Sequence, residues 1–368
     1  MSKRIAIFHN FLDNIGGAEI VALTLARELH ADLYTTNIHR KNIAKMGFTD
    51  VLPRIHSIGS VPTKAPWKQQ AAFYRFRRLN LKGEYDFFII AGDWAMSAAV
   101  NNKPNMWYVH SPLNQLWAFK QYVQKELIPL WKVPFFEVWV HINRLLSRRY
   151  AHHVQTWVCN SQNTRKRILK YYHKDAIVIH PPIYTKNYFS HSTKNYWLSV
   201  NRILHTKRID MQMKAFAQLP QERLIIVGSY EKGVQPFEEY KNYIKSIKPK
   251  NVIIQSWVNA AQLKKRYAEC KGFITTARDE DFGMAPVEAM ASGKPVIAAD
   301  EGGYKETIIH GETGVLIPNI TPKKLAQCVN ELSQQLKKHP HRYEHACRQR
   351  ATSFDTKRFI QHIKRLLK

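Results

Sequence analysis

Apolar residues in this chain come in short unbroken runs, separated by stretches with helical spacing. An unbroken run closed by glycine, proline or small polar residues reads as a strand covered on both faces, the pattern of a parallel sheet. In the first half such runs are Arg4–His9, Ala31–Thr36, Tyr85–Ala91, Asn105–His110, Trp157–Asn160 and Ala176–His180. An amphipathic helix over Ala18–Leu29 follows the first run, and helix-like segments separate the others. Pro181-Pro182 and the polar, aromatic stretch through Tyr196 break the series and read as a linker. A second series follows, with strands at Trp197–Asn201, Arg223–Gly228, Val252–Trp257, Gly272–Arg278 and Pro295–Ala299. Its helices are expected over Met211–Leu219, Phe237–Ile247, Ala260–Cys270 and Ala285–Ser292, and then Pro322–Lys338, His341–Ser353 and Thr356–Leu367. Alternating strands and helices imply an α/β fold of two doubly wound domains, which offer a ligand crevice at their sheet ends.

Composition supports that division. A chain of 368 residues with 45% hydrophobic content is long enough for two cores. The most apolar stretch, Leu127–Ile142, is interrupted by Lys132, Pro134 and Glu137 and is too short to span a bilayer. Met1-Ser2-Lys3-Arg4 leads directly into a strand-like run, so no signal peptide is expected. The four cysteines form no C-x-x-C pair, which points to a reducing, cytoplasmic setting and away from structural zinc. The net charge of +28 changes the picture more. Arg40–Lys82 holds ten Lys/Arg against one acid, Asp50, with Trp67, Phe73, Tyr74 and Phe76 among them. Such a stretch suits an anionic membrane surface, with Trp67, Phe73 and Phe76 as inserting side chains. The plain alternative is a solvated helix face. Nucleic acid is not expected, because no recognition motif accompanies the charge.

Candidate chemistry concentrates in Arg278–Gly293, where Glu280 and Glu288 bracket Phe282-Gly283-Met284 between a strand and a helix. A strand, a glycine turn and a helix N-terminus form a place for an anionic ligand, and both carboxylates can face one crevice. Arg202 and Lys207 follow the first strand of the second series; a planar fork and a point charge together suit a diphosphate, though surface charge is the bland reading. Gly16-Gly17 lies between the first strand and its helix but departs from the dinucleotide fingerprint G-x-G-x-x-G. His110 ends a buried strand, placed for a sugar hydroxyl or for a structural role. Gly302-Gly303 can bring amides to a ligand or serve as a plain turn. Asp279-Glu280-Asp281 matches D-x-D metal motifs in form; with Arg202 and Lys207 available for phosphate charge, no divalent metal is needed.

These segments resemble the GT-B glycosyltransferases, specifically the retaining family 4 type. Gly16-Gly17-Ala18-Glu19, Tyr108-Val109-His110-Ser111-Pro112, Arg202 with Lys207-Arg208-Ile209-Asp210, and Glu280-x7-Glu288 occur in the family's order, followed by Gly311–Pro318. The resemblance implies two Rossmann-like domains facing across a cleft: residues 1–185 for the acceptor and 186–354 for the donor. It also implies that helix 355–368 packs back on the first. Arg202 and Lys207 would bind the donor diphosphate and Glu280 the sugar hydroxyls. The amides near Phe282, Gly283 and Met284 would line the pocket, and Glu288 would take the ribose. Gly16 and Gly17 would approach phosphates and acceptor, and His110 the donor sugar. The implied reaction is metal-independent transfer of a hexose with retention, from a nucleotide-sugar to a lipid-linked or polysaccharide acceptor at the inner face of the membrane. GDP-mannose is the favoured donor, a UDP-sugar the alternative. A non-catalytic nucleotide-sugar or glycan-binding protein is the competing class.

Overall fold

The computed structural model describes residues 3–113, 115–228, 235–256 and 258–367. The chain forms two compact units, Met1–Pro182 with Phe359–Lys368, and Ile183–Arg358. The first holds strands β1 Ile5–Phe8, β2 Asp32–Thr35, β3 Ile55–Ser57, β4 Phe87–Ile90, β5 Asn105–Val109, β6 Thr156–Cys159 and β7 Ile177–Val178. They form one parallel sheet in the order β3-β2-β1-β4-β5-β6-β7. The second holds β8 Trp197–Val200, β9 Leu224–Val227, β10 Val252–Gln255, β11 Phe273–Thr275, β12 Val296–Ala299 and β13 Gly314–Ile317. Their order is β10-β9-β8-β11-β12-β13, again all parallel. Every residue of β1, β4 and β5 is buried, as an unbroken apolar run requires in a sheet covered on both faces.

Strand order reverses between β1 and β4 in the first unit, and between β8 and β11 in the second. At such a switch point the connections leave in opposite directions and open a crevice beyond the carboxyl ends of the strands. Most of the anticipated elements appear, with ends within three residues of those expected. The strand expected over Val252–Trp257 ends at Gln255, and Trp257 lies outside the described residues. Two strands go beyond the apolar runs. β3 (Ile-His-Ser) is short and half exposed at the sheet edge, and β13 sits in a glycine-rich segment that reads locally as turn. Both exist because a neighbouring strand offers them hydrogen-bonding partners.

The basic stretch corrects one expectation. Arg40–Lys82 folds into the short helix Arg40–Lys45, a 3-10 turn, β3 and the helix Trp67–Arg78. Phe73 and Phe76, expected to insert into a membrane, are 4% and 0% exposed and belong to the core of the unit. Trp67 and Tyr74 do face solvent. The aromatic positions of this helix thus split between core and surface, as an amphipathic period requires.

Candidate active site

In the second unit the switch point is built from two loops. After β8 the chain runs through Asn201 and Arg202 to a 3-10 turn, His205–Lys207, and Arg208 takes a left-handed conformation (φ +49°). After β11 it runs through Thr276–Asp281 to Gly283 (φ +88°), which caps the helix Met284–Ala291 without a side-chain hydrogen bond. A side chain at Gly283 would meet the Tyr304 ring at 2.6 Å, and the backbone angle itself favours glycine. Glycine at this position lets the chain turn sharply from the loop into the helix N-terminus, the end that favours an anion.

The two loops lock together. Thr276 Oγ1 donates to the carbonyl of Lys207 (2.8 Å), and the Arg278 amide donates to the carbonyl of Thr206 (2.8 Å). Arg208 reaches the carbonyl of Ala277 (3.1 Å) and pairs with Glu301 at 3.0 Å. Arg208 is therefore a strut of the site, whereas its neighbour Lys207 points its ammonium at Glu280, and the two form an ion pair. Both side chains of that pair keep about a fifth of their surface open, 20% and 22%. An ammonium has three N–H donors, so Lys207 can hold Glu280 and still donate to a phosphate oxygen. Arg202 is exposed and has no protein hydrogen bond or ion pair among the described residues. The crevice thus presents one paired and one unpaired cation at the carboxyl end of β8.

Glu280 is positioned from below. Tyr304, fully buried, stands with its hydroxyl 2.6 Å from Thr275 Oγ1 and 3.5 Å from Glu280 Oε2. The Gly302-Gly303 turn lies against the 279–282 backbone. The Gly303 amide donates to the carbonyl of Glu280 (2.7 Å), and a side chain at Gly302 would sit 2.4 Å from that same oxygen. These glycines hold the loop that carries Glu280 and bring their contacts to the protein backbone. Phe282 packs its ring on Phe354 at 5.4 Å and anchors the turn in the core. One helical turn beyond Met284, Glu288 accepts a hydrogen bond from Tyr267 (2.8 Å), and burial raises its pKa. Among the described residues no group of three or more His, Cys, Asp or Glu is arranged to hold a metal ion.

The first unit places His110 at the end of β5 and His9 at the end of β1, on either side of the switch point. His9 Nδ1 lies 3.0 Å from the carbonyl of Ala91. Burial, reinforced by neighbouring His9, pushes the His110 pKa down to about 3, so its imidazole is neutral at ordinary pH. Its Nε2 is buried without a hydrogen-bond partner among the described residues. Gly16, in extended conformation, caps the helix Gly17–Glu28, and Glu19 brings a carboxylate into its first turn. A cleft of about 690 Å³ opens beside this region at the ends of β2 and β3, lined by Asp13, Asn37, His39, Arg40, Ser60 and Thr63 among others.

Against known proteins, the glycosyl transferases group 1 family model matches residues 182–350, and the glycosyltransferase family 4 model matches 15–187. The chain belongs to the family 4 glycosyltransferases. The alpha-1,3/1,6-mannosyltransferase ALG2 of Dictyostelium discoideum is 31% identical over 157 residues, 38% of this chain and 37% of the relative. The yeast Saccharomyces cerevisiae ALG2 is 26% identical over 283 residues, 61% of this chain and 53% of the relative. The matches therefore span about a third to a half of these relatives' length. Among solved structures, Anabaena HepE in complex with UDP and glucose superposes with a TM-score of 0.76 at 19% identity, covering 99% of each chain. Sucrose-phosphate synthase from Thermosynechococcus elongatus gives 0.71 at 16% identity, covering 99% of this chain and 98% of that one. Those likenesses carry the GT-B fold. In this glycosyltransferase Lys207 and Glu280 meet directly, Arg202 is exposed in the same loop after β8, and Glu288 lies one turn down the helix. Tyr267, Tyr304, Glu301 and His9 are the supporting residues that local sequence did not single out.

Proposed function

We propose that this chain is a retaining hexosyltransferase that moves mannose from GDP-mannose to a lipid-linked or polysaccharide acceptor without a divalent metal. The observation that carries this reading is the Lys207–Glu280 ion pair at the β8/β11 switch point, with exposed Arg202 in the same loop after β8. As the glycosidic bond breaks, the anomeric carbon becomes oxocarbenium-like and the departing diphosphate gains charge. Arg202 and Lys207 stabilise that charge from the loop after β8, and the N-terminus of the helix after Gly283 adds its dipole. Glu280, held by Lys207 with Tyr304 beneath it, orients the sugar hydroxyls. The acceptor hydroxyl attacks on the face the leaving group vacates, and its proton passes to the departing phosphate oxygen. Glu288 takes the ribose hydroxyls. His110, neutral, hydrogen-bonds through its unpartnered Nε2 and does not act as a general acid.

Mannose is favoured because the ALG2 relatives are named mannosyltransferases. The UDP and glucose bound to HepE support a second reading, a UDP-sugar donor. The cleft of the first unit, with Arg40 and His39 beside Ile38, Leu52 and Val61 on its wall, suits a glycan that carries phosphate. No helix among the described residues is long and apolar enough to cross a membrane, and in this reading the protein sits at the inner membrane face by surface attachment. Steady-state turnover of GDP-mannose tests the proposal. Lys207→Ala and Glu280→Ala each lower kcat by about 10²–10³-fold, the cost of one lost charge-stabilising or positioning group, and EDTA leaves wild-type turnover unchanged. The pair is partly exposed, so either variant stays folded and melts within a few degrees of wild type. Near-normal transfer in either variant contradicts the assignment.

A further inference from the structure

The helix Val133–Ala151 of the first unit is apolar on its core side, where Trp139, Leu146 and Tyr150 also pack, and carries a second run of apolar side chains on its outward side. Toward the core it presents Phe136, Val140, Asn143, Ser147 and Ala151. Two of these are polar, and both are satisfied: Asn143 Oδ1 accepts from Gln70 (2.7 Å), and Ser147 meets the Tyr172 hydroxyl at 2.6 Å. Toward solvent it presents Phe135, Val138, Ile142 and Leu145, preceded by Leu130 and Trp131. Phe135 is 72% exposed and Leu130 89%. Positions 131, 135, 138, 142 and 145 follow helical spacing, so the exposed side chains form one continuous stripe. A surface helix ordinarily buries such a stripe, and one left outside marks a surface that meets something apolar.

The charges around the stripe identify the occupant. The helix carries one acid, Glu137, already paired with Lys120 at 2.7 Å. Exposed Lys132, Arg148 and Arg149 stand at its two ends. A second copy of this chain, also at +28, would bring the same cations against these. Cations flanking an aromatic and aliphatic stripe match an anionic bilayer, whose headgroups take the charge while its acyl boundary takes the side chains. Nineteen residues make a rod about 28 Å long, suited to lying in the interface plane with Trp131 at headgroup level.

We infer that residues 130–149 are the membrane-docking surface of this protein, seated flat on an anionic lipid leaflet. The inference deepens the surface attachment proposed above and is independent of the donor chemistry. It moves the docking site from Arg40–Lys82, whose Phe73 and Phe76 are buried, to the long helix between β5 and β6.

Flotation of the full chain with lipid vesicles tests it. Vesicles of phosphatidylcholine mixed with phosphatidylglycerol are compared with phosphatidylcholine alone, at low and high salt; neither lipid carries a glycan, so transfer plays no part. Wild type floats with the anionic vesicles and less so at high salt. The triple variant Phe135→Ser, Ile142→Ser, Leu145→Ser loses binding by about tenfold or more, because each lost side chain removes apolar burial. A control, Leu169→Ser, removes an equally exposed apolar side chain from another helix and binds like wild type. The three substituted positions are exposed, so melting temperature and any nucleotide-induced thermal shift stay at wild-type values; loss of those shifts in wild type itself would count against the donor reading alone. The inference is overturned if the triple variant floats like wild type, if wild type does not float, or if the substitutions abolish a dimer seen by sedimentation.

Discussion

Tyr267 donates to the Glu288 carboxyl at 2.8 Å, and burial raises that carboxyl's pKa. A raised carboxyl pKa means that the ionised form weakens the folded state. The penalty is full above the folded pKa and disappears below the unfolded value near 4.5. Glu288→Gln keeps an acceptor for Tyr267 and removes the charge. Its melting temperature therefore exceeds that of wild type at pH 8, and the gap closes as pH falls toward 4.5. Nucleotide affinity falls at the same time, because the ribose loses a charged acceptor. Calorimetry across pH reads the gap, and a gap that does not change with pH would contradict this origin. Glu280, Glu288, Arg202 and Lys207 were legible in sequence because each lies on a strand-turn-helix segment that local pattern can place. Tyr267, Tyr304 and Glu301 were not. They come from other βα units and reach the site through space, without a spacing rule that ties them to it.

The loop that carries Glu280 depends on the turn after β12. Gly302 has φ +56° and stands where a Cβ would lie 2.4 Å from the Glu280 carbonyl. Gly302→Ala therefore costs about 2–4 kcal/mol, from the left-handed backbone and the steric displacement together. It also weakens donor binding, because the displaced backbone is that of 279–282. A thermal melt with and without nucleotide separates the two effects, and an unchanged nucleotide shift would contradict the support role. From local pattern this turn reads equally as a ligand loop or a plain turn. The structure makes it a prop, which local pattern could not reveal because the contact joins segments about twenty residues apart. The same limit explains β3 and β13, each created by its neighbour strand. The buried strands were legible because continuous apolar runs leave few alternatives. In Trp67–Arg78 the basic residues drew attention to charge, while Ala72, Phe73 and Phe76 already showed the spacing of a buried helix stripe.

At the scale of the molecule, charge and apolar surface separate into two roles. The net +28 is spread along the chain, and the proposed reading gives a chemical role to a few of its cations. Those are Arg202 and Lys207 at the donor crevice and the residues flanking the exposed 130–149 stripe. The alternating pattern made two doubly wound sheets legible, and the strand orders put both switch points beside the residues singled out from sequence. Sequence did not disclose which apolar helix would remain uncovered, because exposure of Phe135 or Ile142 depends on what the rest of the unit leaves unpacked.

The central claim is that the β8/β11 crevice binds a sugar nucleoside diphosphate through Arg202, Lys207, Glu280 and Glu288. Nucleotide-induced thermal shift tests it most directly, with GDP, UDP and ADP applied to wild type and to Lys207→Ala. A ligand held only by the folded state at a hundredfold excess over Kd adds about 2.7 kcal/mol of stability. GDP is expected to raise the wild-type melting temperature more than UDP or ADP, and Lys207→Ala to lose most of that rise. A wild type that responds to none of the three, or a variant that responds as strongly as wild type, would contradict the claim.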